Sequence, residues 1–122
     1  MADITYSMNM RVEKENLSSL VQVGQITASM AVAGYKSVIY TLTTNAVSVS
    51  TANLSSVGMA FLRNLATSSA STAQIGYEAG GSFFSFATLR GGESAMIRLS
   101  AGTDYQAIGS SGVRLRVDIT EG

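Results

Sequence analysis

Cysteine, histidine, tryptophan and proline are all absent from this chain. Without them there are no disulfides, no thiolate or imidazole nucleophiles, none of the usual zinc ligand sets and no Ser-His-Asp triad. Charge is scarce as well. Acidic and basic residues make up 13% of the chain, and eight of each sign cancel to a net charge of zero, where soluble domains usually carry roughly 25%. A neutral chain has no electrostatic drive toward nucleic acid, so none is expected as a partner. No apolar stretch is longer than Met30 to Ala33, far short of the roughly 20 residues that cross a bilayer as a helix, and no membrane is expected either. The opening Met1-Ala2-Asp3-Ile4-Thr5-Tyr6 has no basic segment followed by an apolar one, so the expected product has no signal peptide. Two sequons, Asn16-Leu17-Ser18 and Asn53-Leu54-Ser55, read as chance in a chain with no sign of a secretory route.

What is present points to strands. The chain has 122 residues, 46% of them hydrophobic. That length suits one domain, 1–122, and permits a real core, since about two thirds of the unfolded surface is buried at this mass. Ile4, Tyr6, Met8, Met10 and Val12 alternate with Thr5, Ser7, Asn9 and Arg11, the period of a half-buried strand. The polar Glu13-Lys14-Glu15-Asn16 reads as a loop tip, and Ile26, Ala28, Met30 and Val32 alternate again beyond it. A hairpin or two adjacent strands follow from this pair. Residues 17–23 form the one segment compatible with a helical turn.

Further strands are expected over residues 37–42, 47–50, 58–65, 73–78, 82–89, 94–99, 105–108 and 113–120, where β-branched and aromatic residues lie between turn signals. In the last of these Val113, Leu115, Val117 and Ile119 oppose Arg114, Arg116, Asp118 and Thr120. Paired glycines in Arg90-Gly91-Gly92-Glu93 suit a tight turn and predict residues 82–89 and 94–99 as antiparallel neighbours. Eight to ten short strands without a credible helix predict an all-β protein, an antiparallel β-sandwich or barrel; a jelly-roll-like β-sandwich is the expectation carried forward.

Groups able to do chemistry are few. A glycosidase needs two carboxyl groups across a sugar, and Glu78, Glu93 and Asp104 are the candidates, yet each adjoins a turn and reads as solvated surface. No HExxH, phosphate-binding glycine loop with lysine, or EF-hand occurs, so neither a cofactor nor a metal is expected. Arg98, Arg114 and Arg116 could form a basic stripe, but an exposed strand face with a weak Arg116–Asp118 pair accounts for them better.

The apolar residues are more informative. Phe84 and Phe86 alternate against Phe83, Ala87 and Leu89, while Met59 and Phe61 alternate against Ala60 and Leu62. One side of each strand belongs to the core. Each large side chain left in water on the other forfeits roughly 1.5–3 kcal/mol of burial, so Phe83, Phe84, Phe86, Met59 and Phe61 are the candidate interface with further copies or another partner. A symmetric homo-oligomer, with a trimer as the candidate stoichiometry, is the simplest source of matching surface.

The order of blocks Gly58-Met59-Ala60-Phe61-Leu62-Arg63-Asn64-Leu65, Ala73-Gln74-Ile75-Gly76, Phe83-Phe84-Ser85-Phe86, Leu89-Arg90-Gly91-Gly92-Glu93, Ala95-Met96-Ile97-Arg98-Leu99 and Val113-Arg114-Leu115-Arg116-Val117 resembles small virion proteins of tailed bacteriophages. The resemblance covers about half the chain, mostly residues 58–121. Gly92 and Ser85 depart from it, standing where prolines are common. It implies a non-enzymatic virion structural protein, assembled in the host cytoplasm, whose partners are copies of itself and a major capsid or tail protein. A capsid decoration or cement role is the leading expectation. The alternatives are a tail or baseplate accessory protein, or a carbohydrate- or receptor-binding module of a fibre using Tyr35, Tyr77 and Tyr105.

Overall fold

The computed structural model describes residues 4–30, 34–52, 54 and 56–122. Val32 of the second alternating stretch, and Asn53 and Ser55 of the second sequon, lie outside the described residues. The chain divides into two compact units, Met1–Ala31 and Val32–Gly122. The sandwich is built from the second unit, and the first two strands pair with one another.

The first unit is a hairpin of β1 (Ile4–Lys14) and β2 (Leu17–Ala28). Glu15 takes a positive φ of 53° in a two-residue turn, with Lys14 and Leu17 as the closing rung. Residues 17–23 are strand, not helix. Leu17, Ser19, Val21 and Val23 stand across from Lys14, Val12, Met10 and Met8, and alternation against a partner strand outweighs a weak local preference. Between Tyr6 and Met8 the register shifts, because Tyr6 pairs with Ile26 and Met8 with Val23, so β2 carries one extra residue there. That bulge, at Gly24-Gln25, reverses the phase of β2. Without it Gln25 and Thr27 would share the face of Val21 and Val23; with it Ile26 and Ala28 do.

The second unit is an antiparallel sandwich of two four-stranded sheets. One holds β3 (Tyr35–Thr41), β10 (Arg114–Glu121), β5 (Val57–Asn64) and β8 (Ser94–Arg98), in that order. The other holds β4 (Val47–Ser48), β9 (Tyr105–Gly109), β6 (Thr72–Ala79) and β7 (Ser82–Arg90). The pairing is nested: β6 with β7, β5 with β8, β4 with β9 and β3 with β10. It is the pattern of one long hairpin folded over on itself, closed by β10–β5 and β6–β9 pairing. The hairpin's tip is Gly80-Gly81, with φ values of 60° and 81°, the left-handed pair that matches strand twist in a two-residue turn. The Glu78 carboxylate accepts from the Gly81 amide at 2.7 Å and closes it.

The other glycine pair behaves differently from the sequence expectation. Arg90 to Glu93 does form a turn, with the Glu93 amide donating to the Arg90 carbonyl at 2.9 Å. Yet β7 and β8 are not neighbours, since they lie in different sheets. The turn is tied to the end of β5, where the Gly92 amide donates to the Asn64 carbonyl and the Asn64 amide to the Glu93 carbonyl. A side chain at Gly91 would collide with the carbonyls of Ser68 and Ala66. Packed in this way, the turn sends the chain across to the opposite sheet.

Alternating residues of both sheets fill the core. Leu42, Ala60, Leu62, Leu115, Val117 and Ile119 meet Val49, Ala73, Ile75, Leu89, Tyr105 and Ala107. The gap left among Val49, Leu62, Ile75, Val117 and their neighbours is about 10 Å³, at or below what one water needs, so the core is close-packed there. The polar side chain of Asn64 is matched within this core. Asn64 is fully buried, and its Nδ2 donates to the carbonyls of Ser71 and Leu89 while its Oδ1 accepts from the Ala66 amide.

Candidate assembly interface

Of the five positions singled out as an interface, the three phenylalanines of β7 are distributed by a second bulge. Ile75 pairs with Ala87 and Gly76 with Ser85, so Phe86 is the extra residue of β7. Gly76 makes room for it, because a Cβ there would collide with the Phe84 carbonyl. Strict alternation places Phe84 and Phe86 opposite Ala87 and Leu89, and the structure corrects this. Ala87 and Leu89 stand beside the core residues Ile75 and Ala73. Phe86 borders the small core gap with Leu62 and Val117. Phe84 stacks on Tyr77, ring centroids 5.6 Å apart. These residues of β7 therefore lie toward the sandwich interior, and Phe83, across from Glu78, is left on the outside and is half-buried.

Phe84 and Phe86 nonetheless remain 48% and 47% exposed. They lie on β7, the edge strand of one sheet, while exposed Ile97 lies on β8, the edge strand of the other. Tyr77, Phe86, Ile97, Arg98, Thr103 and Tyr105 line a groove of about 380 Å³ at this rim. Phe84 continues it through the stack on Tyr77.

Met59 does not belong to that surface. It is only 7% exposed, so it has little to offer a partner, and Phe61 is half-buried beside Met96 and Asp118. The same sheet face, opposite Leu62 and Val117, carries exposed Tyr35 and Ile39. Near them Arg116 Nε donates to Asp118 Oδ2 at 2.9 Å. The exposed-face reading holds for Arg116 and fails for Asp118, which is buried. Burial pushes the Asp118 carboxyl up, but the nearby Ser37 and Tyr35 hydroxyls and the Arg116 charge outweigh it and hold the group below its usual 3.8. Its Oδ1 has no partner of ordinary hydrogen-bond geometry.

Two of the three carboxylates considered for catalysis, Glu78 and Glu93, hold backbone amides. Glu78 closes the β6–β7 turn, and Glu93 Oε1 accepts from the Arg90 amide at 2.7 Å. Of the tyrosines considered for glycan binding, Tyr77 and Tyr105 are cross-strand partners and share the groove, whereas Tyr35 lies in the other sheet. Among the described residues no group of three or more acidic, histidine or cysteine side chains could hold a metal ion.

The sequence reading takes β1 as half-buried through Ile4, Tyr6, Met8, Met10 and Val12, and the structure corrects this, since Met8 and Met10 are exposed. Tyr6, Met8, Met10 and Val12 share one face of the hairpin with Ile26, Val23, Val21 and Ser19 by register, and Met8, Met10, Val21 and Val23 are all exposed. The isolated Gly24 inside an otherwise alternating strand is the signal that marks the bulge responsible. No protein family and no curated protein sequence matches the chain.

Proposed function

We propose that this protein is a non-enzymatic structural component of a tailed-phage virion, a capsid decoration or cement protein that oligomerises and stabilises the particle by contact. The observation that carries the reading is the exposed apolar rim of Tyr77, Phe84, Phe86 and Ile97 on an otherwise close-packed sandwich. Contiguous apolar surface of this kind is costly in water and suits a permanent contact. The nested strand order supports a jelly roll, an architecture used in viral capsid domains. The rim would bind the larger shell, whose major capsid protein is the proposed partner, and the particle is assembled in the host cytoplasm.

Quantitative peptide mass spectrometry of purified particles tests this. Hundreds of copies per particle are expected; a dozen or fewer would move the protein to the tail or baseplate, and none would end the virion reading. The groove lined by Tyr77 and Tyr105, with Arg98 and Thr103 as polar groups, favours one second reading, a glycan- or receptor-binding module of a fibre. Lectin domains also use the jelly roll, so the fold suits either reading. Binding on a glycan array that Tyr77→Ala abolishes would favour the fibre module.

A further inference from the structure

We infer that the β1–β2 hairpin is the self-association element, its apolar face covered by the same face of hairpins from other copies of this chain. This deepens the oligomerisation within the proposed function and rests on it, while assigning it to a surface other than the sandwich rim. The register makes the face. Ile4 and Ala28, Tyr6 and Ile26, Met8 and Val23, Met10 and Val21, and Val12 and Ser19 are successive rungs on one side, since cross-strand partners point the same way. The other side carries Thr5 with Thr27, Asn9 with Gln22, and Glu13 with Ser18. Its Arg11 and Glu13 pair with each other at 2.6 Å, and Leu20 is its one large apolar residue.

An isolated two-stranded ribbon is marginal in water, and what stabilises it is a layer packed on its apolar side. A second copy fits that layer for two reasons. The face carries no charge except Lys14 at the tip rung, so identical faces meet without opposing like charges along their length. Identical sheets also stack at about 10 Å, the spacing that Met and Val side chains fill. Area then bears on the number of copies. Eleven residues of β1 span about 36 Å, and a ribbon about 10 Å wide presents roughly 360 Å². One pair of such faces buries roughly 700 Å², below the roughly 1,200 Å² of stable interfaces. In three hairpins closing around one axis each copy buries the same roughly 360 Å² of face, and the edges that touch between neighbours add area that a face-to-face pair lacks.

The test uses the full-length protein in sedimentation velocity. Wild type is expected to sediment as a trimer. Val21→Glu should weaken association at least about a hundredfold, because each copy would bury an unpaired carboxylate. Asn9→Glu, on the polar side, should leave the trimer intact. The chain has no cysteine, so single replacements report proximity independently of any loss of folding in Val21→Glu. Met10→Cys should cross-link between copies with a short bismaleimide, and Asn9→Cys should not. A wild type that stays monomeric at high concentration would overturn both this inference and the oligomerisation in the proposed function. An oligomer that survives Val21→Glu, with equal cross-linking at positions 9 and 10, would overturn the hairpin's role alone and leave that reading standing.

Discussion

Asn64, the last residue of β5 in one sheet, donates from Nδ2 to the carbonyl of Leu89 on β7 in the other sheet at 3.0 Å. The same amide reaches the Ser71 carbonyl at 3.1 Å. A single buried side chain thus joins the two layers where the Arg90–Glu93 turn departs.

Asn64→Ala should cost about 2–4 kcal/mol of unfolding free energy, since two carbonyls and the Ala66 amide lose their buried partner. Asn64→Asp should be no better, because a carboxylate would face two carbonyl oxygens. Denaturant unfolding of both variants checks this, and wild-type midpoints would show that water replaces the side chain.

Gly76→Ala should lower stability by about 1–3 kcal/mol, as the added methyl group meets the Phe84 backbone at the bulge. The damage should be local. Hydrogen exchange is expected to speed up along β6 and β7 more than along β3 and β10, and a uniform change would argue against the bulge as the cause.

Phe84 and Phe86 should separate in their effects although their exposures are nearly equal. Phe84→Ser loses mainly the stack on Tyr77, about 0.5–1.5 kcal/mol. Phe86→Ser also opens the core gap beside Leu62 and Val117, and should cost about 2 kcal/mol. Thermal unfolding ranks the two. If the proposed virion role holds, incorporation into particles should fall for Phe84→Ser even though its fold is retained.

Asp118 makes stability depend on acid. Its folded carboxyl titrates below the usual 3.8, so its contribution is complete above that value and disappears as pH falls through the lower, folded one. The stability gap between wild type and Asp118→Asn should therefore be constant above about pH 5 and narrow below about pH 4. Denaturant unfolding across that range reads it directly, and a gap that widens in acid would reverse the assigned direction.

Much of this architecture is written in local pattern. Alternation identifies β10, where Leu115, Val117 and Ile119 are buried, as is Val113 just before it, and it identifies β1. Paired glycines mark the turns at residues 80–81 and 90–93, where Gly80, Gly81 and Gly92 take positive φ, because that freedom is a property of the residue itself. Strand identity depends on nearest neighbours in the chain, and that information is present before folding.

Which strand pairs with which, and which way a side chain points past a bulge, is decided only in three dimensions. The Gly91-Gly92 turn is as good a hairpin signal as Gly80-Gly81, yet its contacts with Asn64, Ser68 and Ala66 carry β8 to β5. One extra residue at Phe86 brings Phe84 to the same side as Ala87 and Leu89, and one at Gly24-Gln25 unites Ile26 with Val23. A period of two has no memory across an inserted residue, so facing beyond it is set by the partner strand.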